Sequence, residues 1–454
     1  MRRIAMEKLE AWKLSPHRKP LIIRGVRQVG KTWLMTQFAQ KHFEGHYHYL
    51  NFDMDPALCE LFKTSRSPKV ILETLAYRSG RPIAPGDLII FDEAQACPEA
   101  IHALKYFCEL RSDLFVLLAG SLLGLQLARP PSYPVGKVDF LTLEPMNFSE
   151  FLLAQGEDGL VDCLRNSSEF EPLPEYLFEP LSTKLLHYQT VGGMPEAVSA
   201  WCEKQDLTLA RQIQQSVMEV YRQDIFSHAS AIDAPKIQRV WQSLPRQLSR
   251  ENNRFRFNEV EPRSNARKYG DALQWLVDAR MARCVHRVSC PGIPLSAYED
   301  PGAFKVYFVD IGLFTRLSGI EPSVLQDAPM LFREMKGSMA ENLVLQSLSP
   351  QFEESLCYWS MAKPQAEVDF LASLGGIVVP IEVKASMNVK SPSLRVFMDK
   401  YGEQIPLRVR FSMQNLSLNG NLLNIPLFMV DEAKRLMLLA LEKQKASFSS
   451  NVTQ

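Results

Sequence analysis

The sequence predicts an α/β protein made of a parallel-sheet domain, a mainly helical middle region and a second α/β domain. Between residues 18 and 150, short apolar runs alternate with longer segments of helical period, which is typical of βαβ units in a parallel sheet. A glycine-bounded loop follows the first of these runs and precedes a helical segment. Near the C-terminus, two apolar runs that carry charges flank a Gly-Gly turn, as in a hairpin.

The composition is that of a globular protein with several domains. The chain has 454 residues, of which 46% are hydrophobic and 22% charged. Lys plus Arg and Asp plus Glu each total 51, so the formal net charge is zero and affinity for nucleic acid has to come from local patches. None of the eight cysteines forms a Cys-x-x-Cys pair, which argues against a structural zinc site and against a disulfide framework.

The N-terminus predicts no export or membrane insertion. The segment MRRIAMEKLEAWK has basic residues but lacks the apolar region of a signal peptide. No stretch approaches the roughly 18 consecutive apolar residues that a membrane helix needs. We therefore expect a cytoplasmic protein without a membrane partner.

Four apolar runs predict the strands of the first domain: LIIRG, YHYLNFD, DLIIFDE and FVLLAGS. The run LIIRG leads into the pattern G-x-x-x-x-G-K-T, and TWLMTQFAQKHF after it has helical period. In this context backbone N–H groups can surround a β-phosphate, and the helix dipole adds positive potential. Lys31 is predicted to reach the β- and γ-phosphates, and Thr32 to take one Mg²⁺ position. The predicted nucleotide-binding residues are Gly25, Val26, Arg27, Gln28, Val29, Gly30, Lys31, Thr32 and Trp33.

Two further strand ends complete this predicted site. The run LIIFDEAQ ends in Asp92, which is placed to hold Mg²⁺ through water, and Glu93, which can orient or deprotonate an attacking water. The run FVLLAGS ends in Ser121, whose hydroxyl can sense a γ-phosphate. A plain strand-terminal turn is the alternative interpretation of that serine.

These segments resemble the Walker A, Walker B and sensor 1 motifs of an AAA-type P-loop ATPase. The motif sequences resemble those of a bacterial and archaeal ATPase family whose members carry a C-terminal domain of uncharacterised function. They are RGVRQVGKT, IIFDEAQ, AGS and LEPMNFSEFL. The likeness continues through VGGMPEAV, YRQDI, ALQWLVDARM, PLSAYED and FKVYFVDIGL, so it covers about residues 15–430. It implies ATP and Mg²⁺ as cofactors and ATP hydrolysis as an activity. A GTPase is the weaker interpretation, since no Asn-Lys-x-Asp-like segment appears.

One position departs from the family pattern. The family usually has Gly-Arg shortly before the LEP segment, and this chain has Gly136 and Lys137. Lys137 is a candidate catalytic cation in place of that arginine, but a lysine lacks the bidentate geometry of a guanidinium. The alternatives are that Arg129 or a partner's arginine takes this part, or that the segment is a structural turn.

The middle of the chain predicts a winged helix. The helical segment KIQRVWQSLPRQLS, the basic segment RENNRFRF, the helical segment ARKYGDALQWLVDARMA and the runs CVHRVSC and FKVYFVD follow one another in the order of that fold. Arg267 and Lys268 at a helix start can contact phosphates of DNA. An interdomain packing module is the other interpretation.

The stretch EVDFLASLGGIVVPIEVK predicts a metal site on a hairpin. Strand periodicity places Glu367 and Asp369 on one face, and likewise Glu382 and Lys384, so Asp369 and Glu382 can converge on Mg²⁺ or Mn²⁺. Lys384 can polarise the attacking water. The spacing resembles the PD-(D/E)XK nuclease superfamily, which also uses an acid on a preceding helix. Glu341 in GSMAENLVLQSL fits that position.

The predicted chain is thus an ATPase fused to a nuclease-like domain. Two functions remain open for the second half: ATP-gated cleavage of DNA or RNA, or a switch whose C-terminal domain binds nucleic acid or a protein partner without cleaving it. Oligomerisation is compatible with both. The predicted parts are an ATPase domain over 1–150, a helical lid or linker over 151–230, a winged-helix-like domain over 231–330, a PD-(D/E)XK-like α/β domain over 331–440 and a polar tail over 441–454.

Overall fold

A computed structural model describes residues 1–123, 125, 136–250, 253–321, 333–363, 365–385 and 391–452. The chain divides into two compact units. The first comprises Met1–Glu144 with Gln274–Met281, and the second Pro145–Leu273 with Ala282–Gln454. Among the described residues, no helix has the length and apolar character needed to cross a membrane.

The first unit contains a five-stranded parallel sheet with the order β2-β3-β4-β1-β5. Its strands are β1 Leu21–Arg24, β2 Tyr47–Asn51, β3 Leu88–Asp92, β4 Phe115–Ala119 and β5 Asp139–Thr142. Its helices are α1 Ala5–Leu14, α2 Lys31–His42, α3 Ala57–Thr64, α4 Pro68–Ser79 and α5 Pro98–Leu110. The four predicted strands are confirmed. The fifth strand, β5, was not predicted.

The core on one side of this sheet contains packed aromatic rings among aliphatic side chains. Phe62 of α3 meets Phe91 of β3 edge to face, with 5.4 Å between ring centroids, and Phe91 meets Phe107 of α5 at 5.9 Å. Burying one such ring contributes about 1.5–3 kcal/mol to stability. This packing holds α3 and α5 against β3, the strand that ends in Asp92.

The second unit contains the remaining helices, apart from the part of Ala266–Asp278 that begins at Gln274, and an eight-stranded mixed sheet with the order β12-β13-β11-β10-β9-β8-β6-β7. Its strands are β6 Ala282–Val288, β7 Glu299–Phe308, β8 Cys357–Met361, β9 Ala366–Leu374, β10 Ile377–Val383, β11 Arg408–Ser412, β12 Ser417–Asn419 and β13 Leu422–Pro426. The helices that follow α5 along the chain are α6 Phe148–Ala154, α7 Asp158–Asn166, α8 Glu175–Val191, α9 Pro195–Lys204, α10 Leu207–His228, α11 Ala234–Leu248, α12 Ala266–Asp278, α13 Ile311–Leu317, α14 Arg333–Leu348, α15 Pro392–Tyr401 and α16 Ala433–Val452.

The predicted winged-helix elements occur, but they do not form a separate sheet. Helices α11 and α12 and the antiparallel ribbon β6–β7 follow in the predicted order. However, β6 also pairs with β8 in parallel, with His286 beside Cys357 and Val288 beside Trp359. The ribbon is therefore an extension of the C-terminal sheet. The domain boundary that was predicted near residue 330 separates strands of this one sheet.

The predicted hairpin is present. Strands β9 and β10 are antiparallel, and Ile377 pairs with Leu374 across the turn. Gly375 and Gly376 both have positive φ, 58° and 81°, which is the requirement of a two-residue type I′ turn. The C-terminal end differs from the expectation of a polar tail, because α16 continues through most of residues 441–454.

A buried polar network lies under helix α8. The backbone N–H of Gly193 donates to Oδ2 of Asp310 over 2.6 Å, and the Tyr188 hydroxyl donates to the Met146 carbonyl over 2.7 Å. A Cβ atom on Gly193 would lie 2.0 Å from the same Met146 carbonyl oxygen. Only glycine allows this close approach of two backbone segments. Burial raises the pKa of Asp310, and the hydrogen bonds that the carboxylate accepts oppose that rise.

Candidate functional site

Strand order brings three predicted segments to one edge of the first sheet. The loop 25–30 leaves the carboxyl end of β1, Asp92 ends β3, and Ser121 follows β4. Since β3, β4 and β1 are parallel neighbours, their carboxyl ends lie side by side. The edge is thus formed by residues far apart in the sequence.

The loop is shaped by backbone conformations that favour glycine. Gly30 has φ of 94° and Gln28 has φ of 62°, so the chain curls before α2 begins at Lys31. A Cβ atom on Gly25 would lie 2.3 Å from the carbonyl oxygen of Leu143, just beyond β5. Both loop glycines are therefore required by the geometry.

Lys31 is folded into the loop. Its side chain is buried, and Nζ donates to the carbonyl oxygens of Gly25 over 3.0 Å and Val26 over 2.8 Å. The ammonium group is thereby held on the inner side of the loop's curve. Thr32 and Trp33, in contrast, are exposed.

Asp92 joins the loop helix to the neighbouring strands. The Thr32 hydroxyl donates to Oδ2 of Asp92 over 2.6 Å, and the Tyr49 hydroxyl donates to the same oxygen over 2.8 Å. The other oxygen, Oδ1, accepts from the backbone N–H of Glu93 over 2.9 Å. Burial, together with the nearby Asp92 carboxylate, raises the pKa of Tyr49 to about 12. Tyr49 is a site residue that sequence reasoning missed.

Glu93 begins a tight turn that packs on Gly120. Glu93 has φ of 52°, in the left-handed region, and its Oε2 accepts from Nε2 of Gln95 over 2.5 Å. A Cβ atom on Gly120 would lie 2.4 Å from Oε1 of Gln95 and 3.1 Å from the backbone nitrogen of Ala94. Gly120 therefore lets the end of β4 approach this turn, with the buried Ser121 next to it.

Arg3 supports the loop from outside the predicted motifs. Its buried guanidinium donates from Nη1 to the Val29 carbonyl over 3.0 Å and from Nη2 to the Glu144 carbonyl over 2.6 Å. No pattern around Arg3 signals this contact, because its partners lie 26 and 141 residues away.

Lys137 does not lie at the edge of the sheet where the loop lies. In the parallel register Asp139 pairs with Leu21, at the amino end of β1, whereas the loop leaves the carboxyl end. Lys137 precedes Asp139 by two residues, so about six residues at 3.3 Å each, or roughly 20 Å of strand length, separate it from the level of Gly25. The Lys137 ammonium instead pairs with Glu109 of α5 over 2.9 Å. Its predicted catalytic role is therefore corrected; Arg129, the alternative, lies outside the described residues.

In the second unit, the hairpin brings Asp369 and Glu382 together. One step beyond the paired Phe370 and Ile381, Asp369 lies opposite Glu382 in the same register, so both side chains occupy one face. Oδ2 of Asp369 accepts from the backbone N–H of Val383 over 2.7 Å. The Lys384 ammonium lies 2.5 Å from Oε1 of Glu382.

The Glu382 carboxylate is incompletely paired. Its Oε2 atom is buried and has no hydrogen-bond partner among the residues that the structure describes. Burial raises the pKa of Glu382, and Lys384 opposes that rise. Burial also raises the pKa of Asp369, and the nearby carboxylates of Glu341 and Glu382 raise it further.

Glu341 belongs to the same neighbourhood. Its Oε2 accepts from the Tyr307 hydroxyl and from Nδ2 of Asn253, each over 2.7 Å. The ammonium group of Lys305, which is fully buried, lies 3.6 Å from Glu341 and 2.6 Å from Glu367. Burial lowers the pKa of Lys305, but the surrounding acids and Tyr307 outweigh it, so that pKa is raised well above its usual value.

Lys305 and Tyr307 were missed by the sequence analysis. The sequence does contain one indication of them: both are polar residues at alternate positions of the apolar strand β7, so their side chains lie on the same face of the sheet. Three residues were predicted as metal ligands: Glu341, Asp369 and Glu382. In the part of the chain that the structure describes, their ligand atoms do not all lie within 4.8 Å of one another. Their metal-binding role stays a prediction.

Two basic residues near the start of α12 are paired within the second unit, whereas Arg267 is exposed. Arg250 makes two hydrogen bonds of 2.7 Å to the Glu259 carboxylate, and Lys268 pairs with Glu261 over 2.6 Å. These ion pairs reduce the positive charge that the segment presents to DNA. The structure therefore adds no argument for the predicted DNA contact.

Comparison with family models divides the chain into three parts. Residues 17–152 match the model of an AAA domain. This part of the chain is similar to AAA domains and has the parallel sheet of a P-loop ATPase-like fold. Residues 182–324 and 336–428 match two families that are each described as a domain of unknown function, DUF8612 and DUF4143. The AAA domain thus ends within a few residues of the boundary at Glu144.

Several solved structures are similar over much of the chain. The Walker-type ATPase PABY2304 of Pyrococcus abyssi is 14% identical, and the match covers 70% of this chain and 95% of that one with a TM-score of 0.43. The Aeropyrum pernix ORC1 protein, solved in complex with DNA, is 14% identical over 70% of this chain and 92% of that one, with a TM-score of 0.32. AMPPCP-bound DnaA from Aquifex aeolicus is 13% identical over 61% and 88%, with a TM-score of 0.28. No curated protein matches the chain significantly.

Proposed function

We propose that the AAA domain binds ATP with Mg²⁺ and hydrolyses it. The observation that carries this proposal is the 2.6 Å hydrogen bond from Thr32 to Asp92, which joins the phosphate loop to the acid at the end of β3. A hydroxyl and a carboxylate oxygen so close together fit the hard oxygen ligands that Mg²⁺ takes beside phosphates. When bound, Mg²⁺ neutralises charge on the β- and γ-phosphate oxygens.

The loop and its lysine would bind the phosphates. The curled backbone of residues 25–30 offers N–H groups at the start of α2, where the helix dipole favours an anion. Lys31 now donates to the Gly25 and Val26 carbonyl oxygens, and it would exchange these neutral acceptors for β- and γ-phosphate oxygens. Phosphate oxygens carry negative charge and carbonyl oxygens do not, so Coulomb attraction to the ammonium group favours this exchange.

Glu93 would act as the general base. Its carboxylate follows Asp92 directly and is oriented by Gln95, so it can accept a proton from a water that attacks the γ-phosphate. Ser121, next to the turn of Glu93, would contact the γ-phosphate through its hydroxyl. This division assigns binding to residues 25–33 and proton transfer to Glu93.

Three variants test the proposal. Lys31→Ala should lose measurable ATP binding, whereas Glu93→Gln should keep ATP affinity and lose about 100-fold or more in turnover, as expected when a general base is removed. Lys41→Ala, an exposed lysine on the same helix, is the matched control. Binding is measured with a fluorescent ATP analogue and turnover by phosphate release. Wild-type turnover in Glu93→Gln would remove the glutamate from the mechanism.

The acids on β9 and β10 support a second candidate function, metal-dependent phosphodiester cleavage. The specific observation is that the buried Glu382 has one unpaired oxygen, while Lys384 lies 2.5 Å from the other. A divalent cation would satisfy the unpaired oxygen, with Asp369 and Glu341 as further ligands. Lys384 would then stabilise negative charge on the phosphate. DNA or RNA would be the substrate, and binding without cleavage is the alternative outcome.

Cleavage and binding are measured separately. Single- and double-stranded DNA and RNA are incubated with Mg²⁺ or Mn²⁺ and wild type, Glu382→Gln, Lys384→Met or the control Glu353→Gln, which changes an exposed acid. Cleavage by wild type and control but not by the two site variants supports the nuclease. Retention of nucleic acid in gel-shift assays without cleavage supports the binding role instead.

A further inference from the structure

Two cysteines and a glutamate meet beside the turn that follows Glu93. Cys59 lies on α3, Cys97 immediately precedes α5, and Glu99 is in the first turn of α5. Both sulfur atoms approach the same carboxylate oxygen: Oε2 of Glu99 is 3.7 Å from Cys59 Sγ and 3.9 Å from Cys97 Sγ. All three ligand atoms lie within 4.8 Å of one another, and both cysteines are buried.

These separations are close to those of a tetrahedral metal centre. Bond lengths of about 2.3 Å to sulfur and 2.0–2.2 Å to a carboxylate oxygen place sulfur and oxygen ligands about 3.5–3.7 Å apart. The observed distances exceed that range by at most a few tenths of an ångström. Two thiolates and a carboxylate form a ligand set that suits Zn²⁺ and similar thiophilic cations.

The core of the AAA domain fixes this arrangement. Cys59, Cys97, Leu58, Phe62 and Ile101 belong to one buried apolar cluster between α3, α5 and the sheet. The sulfur atoms therefore cannot turn away without disrupting packed side chains. Without a cation, each thiol can donate a weak hydrogen bond to Oε2 of Glu99, so the two sulfur atoms face the same carboxylate oxygen.

Binding of a divalent cation at these ligands would release protons. The cation would displace the proton of each thiol, and the two thiolates and the Glu99 carboxylate would then surround its positive charge.

We propose that Cys59, Cys97 and Glu99 form a binding site for one divalent thiophilic cation of the Zn²⁺ class. The fourth ligand is water or the Ala96 carbonyl oxygen, which lies 3.8 Å from Cys59 Sγ. The site differs from the Mg²⁺ position at Thr32 and Asp92 in both its residues and its ligand chemistry. Cys-x-x-Cys spacing cannot reveal it, because its cysteines come from different helices.

The site is linked to the catalytic turn through the backbone. The N–H of Ala96 donates to the Glu93 carbonyl, and the N–H of Cys97 donates to the Ala94 carbonyl. A cation that fixes Cys97 would therefore restrict the turn that carries Glu93. The cation is a structural brace in this proposal and takes no part in proton transfer.

Cobalt titration of the reduced full-length chain tests the site, since Co²⁺ substitutes for Zn²⁺ and reports its ligands by absorption. We expect one Co²⁺ per chain with a sulfur-to-cobalt charge-transfer band, and one Zn²⁺ per chain by mass spectrometry after zinc loading. Cys97→Ala should remove the band, and Glu99→Gln should weaken affinity at least about ten-fold. Cys108→Ala, on the same helix α5, is the control and should bind as wild type does.

Three results would overturn the proposal. The first is reduced, folded protein that binds no Co²⁺. The second is a Glu99→Gln protein with unchanged affinity; this variant alters a partly exposed side chain, so it avoids the core cavity that Cys97→Ala opens. The third is a Cys59–Cys97 disulfide in purified protein that, once reduced, still takes up no metal ion.

Discussion

Arg3 donates from Nη1 to the carbonyl oxygen of Val29 over 3.0 Å, so the N-terminal segment is hydrogen-bonded to the phosphate loop. Its second donor, Nη2, reaches the Glu144 carbonyl at the end of the β5 segment. A planar guanidinium can bridge two carbonyl groups in this way, whereas a lysine ammonium lacks the same fork. The loop conformation therefore depends on a residue outside the motif.

Replacing Arg3 should weaken nucleotide binding. Arg3→Ala leaves the buried Val29 carbonyl without this donor, which costs about 1–3 kcal/mol. We expect the Kd for ATP to rise about ten-fold or more, measured by titration calorimetry. Lys8→Ala, an exposed cation on α1, is the control. An unchanged Kd in Arg3→Ala would show that the loop holds its shape without this contact.

Removing the buried ammonium group of Lys305 should destabilise the second unit. Lys305→Met leaves Glu341 and Glu367 beside a neutral side chain, and removing one partner of a buried ion pair costs about 3–5 kcal/mol. Because Glu367 is about 30% exposed, we expect a loss near the lower end of that range. Denaturant unfolding measures it, with exposed Lys363→Met as the control.

The double variant Lys305→Met/Glu367→Gln separates charge from packing. Neutralising Glu367 removes one uncompensated carboxylate, so the double variant should be more stable than Lys305→Met alone by about 1 kcal/mol or more. Equal stability of the single and double variants would assign the loss to packing.

The carboxyl group of Asp431 should make stability depend on pH. Burial raises its pKa from 3.8 to about 6, although the Ser149 N–H donates to it over 2.7 Å. Above pH 6 the group is ionised in both the folded and the unfolded chain, and the buried charge destabilises the fold. As pH falls from 6 towards 4, the folded chain takes up the proton first and this destabilisation is relieved.

Asp431→Asn should therefore be more stable than wild type above pH 6, by about 1–3 kcal/mol, and the difference should vanish near pH 4. Thermal unfolding across that pH range measures it. Glu354→Gln, an exposed acid in the same unit, should show no such pH dependence. A stability difference that stays constant with pH would rule out titration of Asp431 as its cause.

Gly193 should tolerate no side chain. Gly193→Ala would place Cβ against the Met146 carbonyl, and the forced separation of two backbone segments should cost about 3 kcal/mol. Gly159→Ala on α7 is the matched control. Its Cβ meets no atom within 4 Å, so helix propensity should make that variant as stable as wild type or slightly more stable. Equal unfolding midpoints for the two variants would contradict the predicted clash.

Local patterns predicted the parts of both sites that depend on neighbouring residues. The phosphate loop needs a strand, two glycines and a helix within a short segment, so Gly25, Gly30 and Lys31 could be placed from the sequence. The alternation on β9 and β10 likewise placed Asp369 and Glu382 on one face. These inferences rest on periods of two and 3.6 residues, which are visible in a single sequence.

Long-range contacts could not be predicted in this way. Such contacts are made by Arg3, Tyr49 and Lys305, whose partners lie far away in the sequence. The periodicity of the local sequence does not indicate these partners. Motif similarity also does not give the register of β5 against β1, which places Lys137 at the edge of the sheet opposite the loop. The pairing of β6 with β8 joins residues about 70 positions apart. Because the sequence does not reveal this pairing, the β6–β7 ribbon was interpreted as the wing of a separate winged-helix domain.

The continuous eight-stranded sheet has a consequence for how this protein can be divided. Two family models meet between residues 324 and 336, yet strands from both sides are hydrogen-bonded in one layer. A fragment that stops near residue 330 would expose the edge of β6 and separate Lys305 from Glu341 and Glu367. Unpaired strand edges promote aggregation. The two regions are therefore expected to fold only when they are expressed together, so a cut near residue 330 would divide a single sheet.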